Sequence, residues 1–329
     1  MNLDSVRNAK NEAREVVSQI ARNDVFRRKL GIRAQSIEMA SQPSTIALGV
    51  ARATAGDYSL AVRVQNRLLM EGEEIAAIRH LAKGEVDVKY IGQIQKRQVP
   101  WYQQKCTPLR IGCSVAHFKV TAGSVGAFAQ SATQTTMVLS NNHVLADENN
   151  ATLGDPILQP GPYDGGQNPA DKIGSLTQFI PLNFTGVNTV DCAVATLDAG
   201  ITIDSKNLDL LGQLGGVRTP PVDIGDTVAK VGRTTGVTHG TVTAIELDNV
   251  TVGYDNGNAT FDGQIEIEGT GTLPFSRGGD SGSLIVDQDN LALALLFAGG
   301  TTGGTNGQGL TYANPIAAVL QALSITLIV

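Results

Sequence analysis

Short apolar runs separated by glycines fill this chain from about residue 113 to its C-terminus. Glycine accounts for 37 of the 329 residues, and much of it falls between these runs. Because glycine permits tight turns and each run suits one short strand, the pattern predicts a mostly β fold. Two sets of about six strands favour two antiparallel β-barrels packed face to face. We expect the first set near 113–119, 124–129, 135–139, 152–159, 171–180 and 190–197, and the second near 226–232, 240–247, 261–268, 282–287, 292–298 and 309–312.

The segment Arg277–Ser283 places Ser281 between glycines, directly before the apolar run Leu284–Val286. Glycines allow a serine to sit on a sharp turn with its hydroxyl exposed, and they let backbone N–H groups converge beside it. That arrangement suits acyl transfer, which needs a nucleophile and donors for the oxyanion that forms. Because a serine hydroxyl is inert at neutral pH without a base, the motif needs a histidine and a carboxylate elsewhere.

His143 and Asp191 are the candidates for those two partners. His143 follows the apolar run Met137–Leu139 and a pair of asparagines, and Asp191 precedes an otherwise apolar strand. A buried carboxylate is costly unless a donor such as an imidazole N–H binds it. Asp147 is the competing carboxylate, but its position four residues after the histidine suits surface pairing better. The sequence therefore favours Asp191.

The order His143, Asp191, Ser281 resembles that of the trypsin-like (chymotrypsin-fold) serine proteases, whereas subtilisin-like enzymes and α/β-hydrolases use other orders. More narrowly, the chain resembles a bacterial intracellular branch of that clan related to the plant protein NAL1. The resemblance runs from about residue 107 to the C-terminus. It is carried by the phrases Leu139–Ala146, Leu158–Gly166, Val231–Gly236 and Gly279–Gly282.

The resemblance implies a role for each of these residues. Ser281 would be the nucleophile, His143 the general base and then acid, and Asp191 the residue that orients the imidazole. The backbone N–H groups of Gly279 and Ser281 would form the oxyanion hole. The strand around residue 297 would pair with an extended peptide. The implied substrate-binding residues are Phe275, Phe297, Ala298 and Gly299, and an apolar Phe275 favours a small or apolar substrate side chain over Lys or Arg.

Asp280 and Arg233 leave alternatives open. In trypsin-like zymogens the aspartate that matches Asp280 pairs with an N-terminus freed by cleavage. Here a long extension precedes the first barrel, so either Asp280 has another partner or cleavage near residues 105–112 activates the enzyme. Arg233 lies in a segment that reads as a hairpin turn, and the alternative is an electrostatic contact near Asp280 or the cleft.

The N-terminal part of the chain follows a different pattern. Residues 1–35 are expected to form an amphipathic helix, because apolar residues recur at helical spacing. Residues 36–98 read as a small α/β accessory module, residues 99–200 as the first barrel, and residues 201–329 as the second barrel with a C-terminal helix. Asn314 and Pro315 are the expected cap and first residue of that helix. Packing of the N-terminal helix on its own chain or on a sister subunit makes a homo-oligomer through this region a hypothesis.

Composition limits the function classes. The net charge of −6 provides no basic stripe, so nucleic acid is not an expected partner. No apolar stretch is long enough to span a membrane, and the first residues do not read as a signal peptide. Three cysteines, Cys106, Cys113 and Cys192, are too few for a disulfide framework and favour the cytoplasm. No metal-ligand cluster or phosphate-binding glycine loop is present, so no metal and no cofactor are expected.

Together these patterns predict a cytoplasmic serine endopeptidase that hydrolyses peptide bonds in a protein or peptide through an acyl-enzyme intermediate. The alternative is a protease-fold scaffold, or a latent protease, that acts mainly by binding a partner. An esterase is a third hypothesis, because the same triad cleaves both esters and peptides. The predicted fold is a chymotrypsin-like double six-stranded antiparallel β-barrel with an N-terminal helix, a small α/β module and a C-terminal helix.

Overall fold

The computed structural model describes residues 1–21, 46–53, 57–65, 67–92, 94, 99–219 and 221–329. The chain divides into two compact units, Met1–Gln98 and Val99–Val329. Residues 22–35 of the predicted N-terminal helix lie outside the described residues, as does the predicted boundary at residue 35.

The first unit is a small α/β module. Its helices are α1 (Leu3–Ala21) and α2 (Glu73–Leu81), and its strands are β1 (Ile46–Arg52), β2 (Tyr58–Val64) and β3 (Val86–Tyr90). β2 lies between an antiparallel β1 and a parallel β3, and α2 lies in the crossover between β2 and β3. The apolar face of α1 (Val6, Ala13 and Val17) is buried in one core with residues of β2 and α2. Because that face is used within its own unit, homo-oligomerisation stays a prediction.

The second unit begins with an antiparallel sheet that forms a half-barrel. Its eight strands pair in the order β23 (Thr326–Leu327), β7 (Ala127–Gln130), β8 (Thr136–Ser140), β12 (Ala193–Leu197), β10 (Lys172–Phe179), β9 (Pro156–Leu158), β5 (Ser114–His117) and β6 (Gly123–Ser124). β6 pairs with β5 at one edge of the sheet, and β7 pairs with β8 near the opposite edge. The short segment between β6 and β7 therefore connects the two edges. The other strands of this half of the unit are β4 (Leu109–Arg110), β11 (Val187–Asn188) and β13 (Ile203–Asp204), with helix α3 at Asn142–Leu145.

The other sheet closes on itself. Its strands pair in the order β14-β21-β20-β15-β16-β19-β22, and a further pairing of β21 with β22 completes a six-stranded ring. The strands are β14 (Gly216–Val217), β15 (Thr227–Gly232), β16 (Gly236–Leu247), β17 (Val250–Tyr254), β18 (Gly257–Phe261), β19 (Gln264–Gly269), β20 (Leu284–Asp287), β21 (Leu291–Gly299), β22 (Leu310–Pro315) and, after helix α4 (Ile316–Leu323), β23 (Thr326–Leu327).

The predicted fold class is confirmed in outline: the chain is mostly β, with a closed six-stranded barrel, a half-barrel and helices near both ends. The half-barrel is an eight-stranded open sheet, where a second closed six-stranded barrel was expected. Within the second unit, the pairing departs from a purely antiparallel one in three two-residue contacts, β4–β13, β11–β18 and β14–β21, which are parallel. The hairpin β17–β18 was not predicted. It forms a small three-stranded sheet with β11, in the order β11-β18-β17.

The predicted start of the C-terminal helix needs a correction. Asn314 does not cap α4, which begins at Ile316 after Pro315. Its side chain is fully buried, and the Oδ1 atom accepts a hydrogen bond from the backbone N–H of Asp191 at 2.9 Å. The Nδ2 atom donates to Gln264 Oε1 at 2.6 Å. A residue that looks like a helix cap in the sequence therefore joins the C-terminal segment to the loop before β12.

The main apolar core runs between the two halves of the second unit. It joins first-sheet residues such as Leu139 and Val194 to Leu284 and Leu295 of the second barrel and to Ile316 of α4. This shared core holds the ends of β8, β12 and β20 against one another, and the candidate catalytic residues follow or precede those ends. Of the helices in the described part of the chain, none is both long and apolar enough to cross a membrane.

Candidate active site

His143 and Asp191 are in direct contact. His143 lies in α3, just after β8, and Asp191 lies two residues before β12. β8 and β12 are antiparallel, with Ser140 opposite Ala193, so the residues that follow and precede them meet at the same sheet edge. His143 Nδ1 lies 2.6 Å from Asp191 Oδ2. Since a carboxylate accepts and cannot donate, Nδ1 carries the proton and Nε2 keeps its lone pair.

Asp191 is held by donors from several segments. Its side chain is fully buried, and Oδ1 accepts hydrogen bonds from the backbone N–H groups of Asn142 at 2.7 Å and His143 at 3.4 Å. Its carbonyl oxygen accepts from Asn141 Nδ2 at 2.7 Å. A buried carboxylate with this many donors is satisfied without a metal ion. The competing Asp147 lies at the start of the following turn, and the carboxylate that contacts His143 is that of Asp191.

The environment of His143 raises its pKa. Burial alone lowers the pKa of the imidazole, because it disfavours the charged form. The negative charge of Asp191, its hydrogen bond and the more distant Glu148 outweigh burial, so the pKa of His143 lies above its usual value. The imidazole is nonetheless reachable from solvent, since 20% of its side-chain surface is exposed.

Ser281 lies in a loop of the second barrel that packs closely on the first sheet. Its carbonyl oxygen accepts from the backbone N–H of Ser124 at 2.8 Å. At Gly282, φ is +86°, and a Cβ would lie 2.0 Å from Ser140 Oγ, so only glycine fits there. A Cβ on Gly123 would lie 2.5 Å from a methyl group of Val144, the residue after His143, and 3.0 Å from the Ser281 carbonyl oxygen. The Ser281 loop and the histidine helix therefore meet at Gly123.

The three candidate catalytic residues are not all hydrogen-bonded to one another. Within the described residues, the Ser281 hydroxyl makes no hydrogen bond, to His143 or to any other group. The backbone N–H groups of Gly279 and Ser281 also have no acceptor among these residues, whereas the N–H of Asp280 between them donates to the Arg277 carbonyl at 3.0 Å. Two free N–H groups beside a free serine hydroxyl can receive the oxygen of a bound carbonyl group.

Asp280 has a partner within the barrel. Its fully buried carboxylate accepts from the N–H groups of Thr234 and Thr235, from the Thr235 hydroxyl and from the Arg277 N–H, at distances between 2.7 and 3.0 Å. Lys230 Nζ, also fully buried, lies 3.6 Å from Asp280 Oδ2. Burial lowers the pKa of Lys230 to about 8, although the charge of Asp280 raises it. The structure therefore agrees with the first alternative for Asp280, in which its carboxylate has a partner other than a freed N-terminus.

Arg233 belongs to the expected hairpin turn and also forms an ion pair. The turn joins β15 to β16, with Gly232 opposite Gly236. The nearly buried guanidinium binds both carboxylate oxygens of Asp164, with Nε 2.7 Å from Oδ2. Asp164 also accepts from the Ser114 hydroxyl at 2.6 Å. One ion pair therefore joins two of the sequence segments that carried the resemblance, Leu158–Gly166 and Val231–Gly236.

A cleft of about 600 Å³ opens beside Ser281. Phe297, Ala298 and Gly299, three of the four predicted substrate-binding residues, line it. Phe275 does not line it: the side chain is 1% exposed and packs in the core of the second barrel, and the cleft is lined by its neighbour Ser276 instead. The opposite wall is part of the unpredicted hairpin, residues 250–253.

Three residues at this site were missed from the sequence. Asn314 binds the Asp191 backbone, Lys230 lies beside Asp280, and Tyr254 of the hairpin donates its hydroxyl hydrogen to Asp191 Oδ2 at 2.9 Å. Asn256-Gly257, between two alternating runs, is a recognised hairpin signal and could have located β17 and β18. No local pattern points to Asn314 or Lys230.

No family model and no curated protein matches the sequence. Among solved structures, the chain is similar to Thermobifida fusca Protease A (18% identity, 67% of this chain and 99% of that chain, TM-score 0.46). It is also similar to the chymotrypsin of Cellulomonas bogoriensis (20%, 67% and 99%, 0.45) and to a glutamic acid specific serine protease (21%, 67% and 100%, 0.48). The likeness to bacterial chymotrypsin-fold serine proteases is one of fold. The relation to the plant protein NAL1 stays a prediction.

No group of three or more His, Cys, Asp or Glu side chains that could hold a metal ion occurs within the described residues.

Proposed function

We propose that this protein is a serine endopeptidase in which Ser281 attacks the peptide carbonyl carbon. The observation that carries the proposal is the 2.6 Å contact between His143 Nδ1 and the buried Asp191, at the junction where the Ser281 loop meets the histidine helix. A histidine fixed in this tautomer presents a basic Nε2, which is what a neighbouring serine hydroxyl needs to become a nucleophile.

In the proposed reaction, His143 Nε2 takes the hydroxyl proton as Ser281 Oγ bonds to the carbonyl carbon. The N–H groups of Gly279 and Ser281 donate to the resulting oxyanion, and Asp191 stabilises the imidazolium. The C–N bond then breaks as His143 returns the proton to the leaving amine, which leaves an acyl ester on Ser281. A water molecule, deprotonated by the same Nε2, hydrolyses the ester and restores the serine.

We propose that the substrate is an extended peptide bound along β21. Ala298 and Gly299 lie near the end of that strand and line the cleft, so their backbone groups can add the peptide as a further strand. Phe297 and Tyr312 provide apolar surface in the same cleft. A small or apolar substrate side chain suits this lining, although Phe275 takes no part in it.

The test is covalent labelling by a fluorescent fluorophosphonate, which reacts with activated serines. The parent protein is expected to be labelled, and Ser281→Ala and His143→Ala are expected to lose at least 100-fold in labelling rate. His117→Gln is the matched control, because His117 is also buried and also lies beside a carboxylate, with Nε2 3.1 Å from Asp155 Oδ2. Its labelling should equal that of the parent.

Each other outcome excludes part of the proposal. Undiminished labelling of Ser281→Ala would show that another residue reacts. A parent that is not labelled would favour the protease-fold scaffold, or a latent protease that needs a partner. Comparison of peptide and ester substrates then separates an endopeptidase from an esterase, because an esterase would leave the peptides intact.

The cellular setting is also part of the proposal. All three cysteines are free, which suits a reducing compartment such as the cytoplasm. We propose that residues 1–35 and 36–98 form an accessory region, that 99–200 and 201–329 form the two barrels, and that the accessory region mediates homo-oligomerisation. Sedimentation at micromolar concentration tests the last point, and a single monomeric species would contradict it.

A further inference from the structure

The hairpin β17–β18, inserted between β16 and β19 of the second barrel, contacts the histidine–aspartate pair. Tyr254 is the last residue of β17, and its hydroxyl donates to Asp191 Oδ2 at 2.9 Å, the oxygen that also accepts from His143 Nδ1. The edge of one ring faces the other, with the ring centroids of Tyr254 and His143 5.8 Å apart. The tyrosine therefore contacts both members of the pair.

The Tyr254 hydroxyl is a permanent donor at working pH. Burial is the larger cause of a raised pKa for the Tyr254 phenol, and the charge of the neighbouring Asp191 raises this pKa further. The hydroxyl therefore keeps its proton. Asp191 Oδ1 is already taken by two backbone N–H groups. With the tyrosine on Oδ2, the carboxylate is prevented from rotating away from the imidazole.

Glu148 anchors the tip of this hairpin close to His143. Its carboxylate accepts from the backbone N–H groups of Asp255 at 3.0 Å and Asn256 at 2.9 Å, and its carbonyl oxygen accepts from Asn256 Nδ2 at 2.9 Å. Glu148 is the middle of three consecutive residues with positive φ, at 50°, 52° and 74° for residues 147–149. Non-glycine residues adopt this conformation only where surrounding contacts enforce it.

We propose that Tyr254 is a positioning residue of the active site, which acts through its hydrogen bond to Asp191 to set the orientation and basicity of His143. This role rests on the proposed function, and it extends it to a residue outside the triad. Since residues 250–253 of the same strand line the cleft, the hairpin that would contact a bound peptide also holds the histidine–aspartate pair.

The hairpin contacts predict opposite pKa shifts for two variants. The titratable groups that face His143 are Asp191, Glu148 and Tyr254, and the Cys192 thiol, next to Asp191, stays protonated because burial raises its pKa. Tyr254→Phe removes a donor from Asp191, so the carboxylate becomes more basic and the pKa of His143 rises. Glu148→Gln removes a negative charge that favours the imidazolium, so the pKa of His143 falls.

The experiment titrates His143 in the full chain by NMR with ¹⁵N-labelled histidine, assigned by the signals that His143→Ala lacks. In parallel, the rate of fluorophosphonate labelling is measured from pH 5 to 9. For Tyr254→Phe we expect a rise of about 0.5 to 1 pH unit and a plateau rate about 10-fold lower, as for loss of a hydrogen bond to a charged group. Glu148→Gln should shift in the opposite direction, and Tyr90→Phe, a change at an exposed tyrosine of the other unit, should match the parent.

An unchanged His143 pKa and labelling rate in Tyr254→Phe would overturn the inference, as would shifts in the same direction for both hairpin variants, which would indicate general loosening. If no protein is labelled but the opposite pKa shifts are found, the positioning role stands and the proposed nucleophile fails. A second measurement needs no variant: the ¹³C signal of Tyr254 in the parent should show no ionisation up to pH 11, and a midpoint near 10 would refute the contact with Asp191.

Discussion

Replacing Lys230 by methionine tests how the buried Lys230–Asp280 pair, next to Ser281, affects the free energy of unfolding. Lys230 and Asp280 are both fully buried, and Nζ also donates to the Thr235 hydroxyl at 2.6 Å. Burial lowers the pKa of Lys230 from 10.5 to about 8, against the opposing effect of Asp280. The folded protein therefore releases this proton at a pH where the unfolded chain still holds it.

The difference in pKa determines the sign and the size of the effect. A lysine whose pKa is lower in the folded state destabilises that state while protonated, so the free energy of unfolding rises between pH 8 and 10.5. Relative to pH 7, Lys230 should add about 1 kcal/mol at pH 9 and about 2 to 3 kcal/mol at pH 10. Methionine has a similar length and no proton to release, so Lys230→Met should lack this rise.

The assay is urea unfolding at pH 7, 8, 9 and 10, followed by the fluorescence of Trp101, the single tryptophan of the chain. Other groups that titrate in this range do so in both proteins and cancel in the difference between them. Lys172→Met is the matched control, because Lys172 pairs with the exposed Asp198 and should leave the pH profile unchanged. Parallel stability profiles for the parent and Lys230→Met would refute the reasoning.

The contacts of the site also predict the effects of two substitutions and one pH dependence. Asp191→Asn should lower turnover about 10⁴-fold in a peptide-cleavage assay, because an amide does not hold His143 in the Nδ1–H tautomer. In the parent, the rate of fluorophosphonate labelling should rise with pH through the raised pKa of His143, since only the neutral imidazole takes a proton; a midpoint below 6.5 would contradict this. Asp164→Asn should lower the free energy of unfolding by about 3 kcal/mol in urea, because it leaves the nearly buried Arg233 without a carboxylate.

The histidine–aspartate contact was predictable because both residues lie next to strand ends. A polar residue at the end of an apolar strand is visible in the sequence, and antiparallel pairing of two such strands brings their ends together. Here Ser140 lies opposite Ala193, so Asn142 and Asp191 would face each other two positions further along the same register. The sequence does not contain this register, but the cost of burying Asp191 without a donor points to it.

Phe275 is a predicted substrate-binding residue that lies outside the cleft. It was assigned to the cleft by counting back from Ser281, and the structure buries it in the barrel core while Ser276 lines the cleft. The residues on either side of Phe275, which are Pro274 and Ser276, both line the cleft, so an error of one position exchanges core for surface. Counting along a loop cannot resolve such a step, because loop lengths differ between related folds.

The residues that support Asp191 were not predictable for a different reason. Asn314 and Tyr254 contact it across 123 and 63 residues of chain, and each looks locally like something else: a helix cap and one residue of an alternating strand. The partners of such contacts share no local sequence pattern, so the sequence alone does not pair them.

Because each half of the second unit helps to hold the other half's site residues, a substitution in either half can disturb the whole site. His143 and Asp191 lie beside strand ends of the first sheet, yet the side chains that bind Asp191 include Tyr254 of the hairpin and Asn314 of β22. The Ser281 loop in turn packs on Ser124 and Ser140 of the first sheet. Each half of the proposed site is therefore positioned by the opposite half of the unit. A substitution that shifts the shared core by a fraction of an ångström would disturb both halves together, so activity should fall before the unit unfolds.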